Sequence, residues 1–107
     1  MNKSILIGRI ANDLELKEVG EGKVVNFSLA VNKGVKNAEG NYEADFFQIV
    51  AWNNTAENLV KFCKKGDQVA VEGRLQNRSY DTDNGFKRYI TEIVASNIQF
   101  LQSKKGE

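Results

Sequence analysis

The sequence predicts an all-β domain, a five-stranded Greek-key barrel with one short helix between its third and fourth strands. Three observations predict it. Stretches of period-two alternation lie on both sides of a single stretch with helical spacing. An Asn84-Gly85 dipeptide joins the last two alternating stretches as a hairpin. The chain of 107 residues has no internal repeat and no composition shift, which fits one domain with one core.

The elements follow in order. Residues 3–10 form the first strand, with Ile5, Leu6, Ile7 and Ile10. A short strand over 14–19 precedes a turn at Gly20-Glu21-Gly22. Residues 23–32 alternate cleanly: Val25, Phe27, Leu29 and Val31 share one row, and Val24, Asn26, Ser28, Ala30 and Asn32 the other. Gly34, Asn37 and Gly40 mark residues 33–41 as a mobile loop. The next strand covers 42–53. A helix then starts with Asn54 as the expected cap and Glu57 three residues on, as in a capping box, and Gly66 stops it. Ala56, Leu59, Val60 and Cys63 recur along it at helical spacing, with Phe62 nearby. In residues 68–80 the row Val69, Val71, Gly73, Leu75 alternates with Ala70, Glu72, Arg74, Gln76, Arg78, Tyr80. The last strand runs over 87–101. Three strands or strand segments, a helix and a long hairpin are the order of the OB-fold, although other small barrels carry similar elements. The domain is expected to span residues 1–102, with 103–107 as a short C-terminal stub.

Composition removes whole classes of function. The chain is 41% hydrophobic and 27% charged, as folded domains are. Its net charge is only +1, so nucleic-acid binding has to come from local arrangement of charge. There is no His, and Cys63 is the lone cysteine, so disulfides, the usual zinc sites, His bases and Ser-His triads are all excluded. Carboxylates do not cluster; Asp81 and Asp83 suit a turn better than a metal. The expectation is a non-enzyme with no cofactor and no metal. No apolar run approaches a membrane span, so a cytoplasmic, reduced setting is expected.

The stretch ADFFQIVAWNN, residues 44–54, carries the functional signal. One row holds Phe47, Ile49 and Ala51; the other holds Phe46, Gln48, Val50 and Trp52, the only Trp. Phe46 and Trp52 would lie about 20 Å apart on one face. The outer row of the following strand brings Arg74, Gln76, Arg78 and Tyr80. Rings between cations suit single-stranded nucleic acid, because bases stack on rings and cations follow phosphates; stacking contributes roughly 1–3 kcal/mol per base. A Phe and a Trp on one strand are more often core or subunit interface, and alternate charges more often a solvated face. On composition and spacing alone the two readings stand level. Lys64-Lys65 suits the helix C-terminal dipole, Lys33 and Lys36 sit in the loop, and Arg9 is either a contact or an edge charge.

NKSILIGRI, VVNFSLAVN, EADFFQIVAWN, AENLVKFCKKGDQVAVEGRLQNRSY and RYITEIVASNIQFL together resemble the bacterial and phage single-stranded DNA-binding proteins over nearly the whole chain. The pattern from Lys64 to Tyr80, followed by that from Arg88 to Val94, is the most specific part. The resemblance implies an OB-fold, a homotetramer, and sequence-independent coating of single-stranded DNA in replication, recombination and repair. It implies stacking by Phe46, Trp52 and Tyr80 and puts Lys3, Lys65, Arg78 and Arg88 on positions that are often basic. With Arg74 these cations are the expected phosphate neutralisers, and Gln48 joins the contact row. The chain departs from the family in three places. NKGVKNAEGN lacks the usual loop aromatic, for which Tyr42 is the substitute at hand. Gln48 and Asn54 stand where a basic residue is common. The acidic tip through which the family recruits replication and repair proteins is absent, so such partners are not expected here. The resemblance implies a cytoplasmic, nucleoid-associated location, or the host cytoplasm for a phage protein. Two rivals remain: a primosome-type dimeric OB adaptor, separated by subunit count, and an OB-fold protein-interaction module, in which Trp52 is buried before any DNA is added.

Overall fold

The computed structural model describes residues 1–102, so the stub expected at 103–107 lies outside the described residues. Six strands and one helix follow in the order β1 (Ser4–Ile10), β2 (Lys17–Val19), β3 (Gly22–Lys36), β4 (Tyr42–Trp52), α1 (Asn53–Phe62), β5 (Gln68–Asp81) and β6 (Lys87–Gln102). They form one sheet in the order β1-β5-β6-β4-β3-β2, and β1 also pairs with β3. That extra pairing closes β1, β5, β6, β4 and β3 into a five-stranded barrel. The three-residue β2 is a fringe on β3, through Lys17↔Val24 to Val19↔Gly22. The helix therefore stands between the third and fourth barrel strands, as expected.

The ring is built of two long antiparallel hairpins, β3–β4 and β5–β6. Two narrow seams join them. One is parallel, Ile49↔Ile93 and Val50↔Val94. The other reaches through β1, whose Arg9 and Ile10 pair with Ala30 and Leu29. Inward rows fill the barrel: Val25, Phe27, Leu29, Ile49, Val69, Val71 and Ile93 are buried, and α1 contributes Ala56 and Leu59. Two glycines let backbones meet. A Cβ on Gly8 would strike the Ala30 carbonyl, and one on Gly73 would strike the Val94 carbonyl. The β5–β6 register shifts at Gly73, as a bulge requires.

Several local expectations need correction. Phe47 and Leu75 belong to the inward rows but stay 37% and 47% exposed. Phe47 lies beyond the last β4–β6 pair, and Leu75 beyond the end of β1 at Ser4↔Gly73. Both hairpins outrun the barrel wall there, and the Asn2 side chain bonds both backbone groups of Leu75 at 2.8 and 2.9 Å. The loop expected at 33–41 is shorter, spanning 37–41. β3 runs on to Lys36 through a register shift, and only a tight tip remains, held by the Asn37 Oδ1, which accepts from the Glu39 and Asn41 N–H groups. Asn54 does not cap α1. The N-cap position is Trp52, with no side-chain cap bond. Asn53 turns the chain with φ 52°, and its Oδ1 accepts from the Lys23 N–H at 3.0 Å. Glu57, instead of closing a capping box, reaches the Lys23 Nζ at 2.8 Å. Helix α1 ends at Phe62, before Gly66, which sits in the following turn and donates its N–H to the Ile10 carbonyl at 2.8 Å. Among the described residues, no helix is long and apolar enough to cross a membrane.

Candidate nucleic-acid interface

Register places the outward rows of four strands on one surface. Trp52 lies opposite Val24, Val50 opposite Asn26, Gln48 opposite Ser28, and Phe46 opposite Ala30. The seam puts Val50 beside Val94. Across β6, Val94 meets Arg74, Glu92 meets Gln76, Ile90 meets Arg78 and Arg88 meets Tyr80. The predicted aromatic row of β4 and the predicted cationic row of β5 therefore share one face, with β6 between them. Past the seam β4 and β6 are not paired, so the Phe46 end of one hairpin and the Arg78–Tyr80 end of the other flank an opening.

The rings are available. Phe46 is 63% exposed, Trp52 40% and Tyr80 47%. Val50, in the same row, is buried, so rings mark both ends of the β4 row but not its middle. Between them runs a polar band. The Gln48 Nε2 donates to the Ser28 Oγ at 2.9 Å. The Gln76 Nε2 and the Arg78 Nε both donate to the Glu92 Oε2 at 2.9 Å.

The cations differ in their freedom. Arg74, Arg88 and Lys65 make no ion pair among the described residues. Lys3 pairs with Glu72 at 2.8 Å and shares a pocket of about 410 Å³ with Arg74 and Val94, at the edge of the face. The Glu72 carboxylate, through this hydrogen bond and its charge, holds the Lys3 ammonium above its ordinary pKa. Arg78 is neutralised by Glu92. Lys65 is not brought to the rings; it sits in the turn after α1. Its neighbour Gly66 accepts from the Arg9 Nη1 at 2.9 Å. Arg9 itself is half-buried, opposite Ala30 and thus one strand beyond Phe46. Of the loop residues, Lys33 lies near Glu43 and Asp45 at 3.8 and 3.6 Å, and the Lys36 ammonium lies 5.3 Å from the centre of the Tyr42 ring.

Sequence reasoning missed Glu92. A two-residue Asn84-Gly85 turn would set Asn77 opposite Glu92; the hairpin instead closes on Thr82 and Phe86, and that register sets Gln76 opposite Glu92 and puts a carboxylate on the row chosen for DNA.

A closed Greek-key barrel with exposed rings and guanidinium groups on one outer face is an OB-fold domain of the oligonucleotide-binding class. The single-strand binding protein family matches residues 1–101. The chain belongs to that family. It is 47% identical over 107 residues to single-stranded DNA-binding protein 3 of Listeria innocua, covering 99% of this chain and 67% of that one. It is 44% identical over 108 residues to single-stranded DNA-binding protein 1 of Clostridium acetobutylicum, covering 98% and 97%. Among solved structures, the Plasmodium falciparum SSB in complex with ssDNA superposes with a TM-score of 0.81 at 33% identity, over 95% of this chain and 96% of that one.

Proposed function

We propose that this chain binds single-stranded DNA without sequence preference and coats it during replication, recombination and repair. The observation that carries this reading is the single outer face on which Phe46, Trp52 and Tyr80 stand exposed beside Arg74 and Arg88. Bases stack on the three rings; Arg74 and Arg88 meet phosphates directly, and Lys3 and Lys65 extend the positive track at its edges. Arg78 and Gln48 line the band between the rings. The chain acts as a binding protein and transforms no substrate. Residues 1–102 form the whole DNA-binding unit, at work in the cytoplasm.

Assembly into a homotetramer belongs to the same reading. From Ser4 to Gly8, β1 pairs only with β5, and its outward Ile5 and Ile7 are 64% and 53% exposed. An open edge with apolar side chains invites pairing with another copy. Joining several faces raises avidity through effective concentration.

The test is a titration with oligo-dT at low and high salt, following intrinsic fluorescence. Trp52 is the only Trp, so the signal reports on the proposed face. Saturable quenching that weakens as salt rises is the expected result. Unchanged emission at both salts sinks the reading. The rival in which this face is a protein interface requires Trp52 emission typical of a buried ring before DNA is added, whereas in the single chain Trp52 is 40% exposed.

A further inference from the structure

Glu92 is a carboxylate in the middle of a face that has to attract phosphates. It is 4% exposed, and its Oε2 takes two donors, the Arg78 Nε and the Gln76 Nε2. We propose that Glu92 is a positioning and charge-setting residue of the single-strand-binding face: it fixes the Arg78 guanidinium flat in the band between the rings while cancelling its charge. The inference rests on the single-strand-binding reading above.

The geometry separates the two things an arginine offers. Arg78 is half-exposed, with its side chain 49% accessible, so it lies on the binding surface. Its Nε is committed to Glu92, and its two terminal nitrogens make no hydrogen bond among the described residues. A planar cation held this way can stack on a base or donate to a base edge. Its long-range attraction for phosphate is largely offset by a carboxylate 2.9 Å away. A buried carboxylate without that partner would be strongly unfavourable, so the pair is kept together on the free protein. Arg74, two residues back on the same row, makes no ion pair among the described residues and acts as the ordinary phosphate cation. Neighbouring arginines therefore have different duties: Arg74 supplies charge and Arg78 supplies a shaped, neutralised plate.

Salt dependence distinguishes this from simple support. The slope of log K against log salt counts the phosphate charges neutralised, at about 0.7 per charge for single strands. Glu92→Gln keeps the side-chain shape and a carbonyl oxygen for Arg78 and Gln76, and removes only the negative charge. The expected result with oligo-dT is a slope steeper by about 0.7, with the two lines meeting near 1 M salt. E92Q then binds about fivefold tighter at 0.1 M. An unchanged or flatter slope, or weaker binding by a variant that melts like the wild type, overturns the proposal and leaves Glu92 as support only. If E92Q does not melt cooperatively, Glu92→Met removes the same charge while filling the volume, and the same steepening is required of it. A wild-type chain that fails to bind oligo-dT sinks the single-strand reading and this inference together. A wild-type chain that binds, with neither variant steeper in slope, sinks this inference alone.

Discussion

Phe46 and Phe47 are adjacent in sequence and face opposite ways, so truncating each in turn separates binding from stability. Phe46 is 63% exposed and Phe47 37%. A fully buried Phe hides about 200 Å². About a third of that is at stake for Phe46, which at ~25 cal/mol per Å² is at most ~2 kcal/mol of folding stability. For Phe47 about two thirds is at stake, or up to ~3 kcal/mol. Those costs differ by only about 1 kcal/mol, so melting alone does not decide the matter; binding does. Loss of a stacking ring costs roughly 1–3 kcal/mol, a fall in affinity of roughly 5- to 150-fold. Phe46→Ala is therefore expected to lose that much affinity for oligo-dT. Phe47→Ala, measured where it is still folded, is expected to keep its affinity while melting lower than Phe46→Ala. The assay pairs thermal melts with Trp52 quenching titrations. Unchanged affinity in F46A together with weakened binding in F47A would refute the assignment of the two rows.

Gly73→Ala drives a methyl group into the Val94 carbonyl at the bulge of β5, and should lower stability by about 1–3 kcal/mol in urea melts. Asn53→Ala removes the acceptor for the Lys23 N–H and puts a poorly suited residue at φ 52°, with an expected loss of about 1–2 kcal/mol by the same measurement. Burial first, then the charge of Asp67, pushes the Cys63 thiol above its ordinary pKa, so alkylation at pH 8 should be slow in the folded chain and fast in urea. The same shift means the unfolded chain gives up its thiol proton first, so stability should fall as pH rises through and above the ordinary thiol range. Arg74→Gln should flatten the salt slope by about 0.7, the opposite change to that expected of E92Q.

Period-two alternation made most of the fold legible, because strands buried on one face sort their residues by row. It located the rows that carry Phe46, Gln48, Trp52, Arg74, Arg78 and Tyr80, and the NG dipeptide located the β5–β6 hairpin, whose register is set by the longer loop closed by Thr82 and Phe86. Alternation says which way a side chain points but not how far the barrel wall extends along the strand. Phe47 and Leu75 point inward and still meet solvent, because the hairpins continue past their neighbours. The helix start misled for a related reason. The Asn54 and Glu57 spacing fits a capping box, but the long-range partner Lys23 takes the Asn53 and Glu57 side chains instead. Glu92 was missed because a lone Glu in an apolar strand reads as a solvated residue until the partners opposite it are counted.

The two seams bear on how the chain reaches this structure. Within β3–β4 and β5–β6 the pairing is local, with short turns at Asn37–Asn41 and Thr82–Phe86. The seams instead join Ile49 to Ile93 and Arg9 to Ala30, with two register pairs each. Closing them fixes long loops for few contacts, an entropic cost met before much is gained. The expected folding order is hairpins first and ring closure last. In native-state hydrogen exchange, the seam amides of Val50 and of Ala11, which donates to the Ser28 carbonyl, should then exchange through smaller openings than those in the middle of either hairpin.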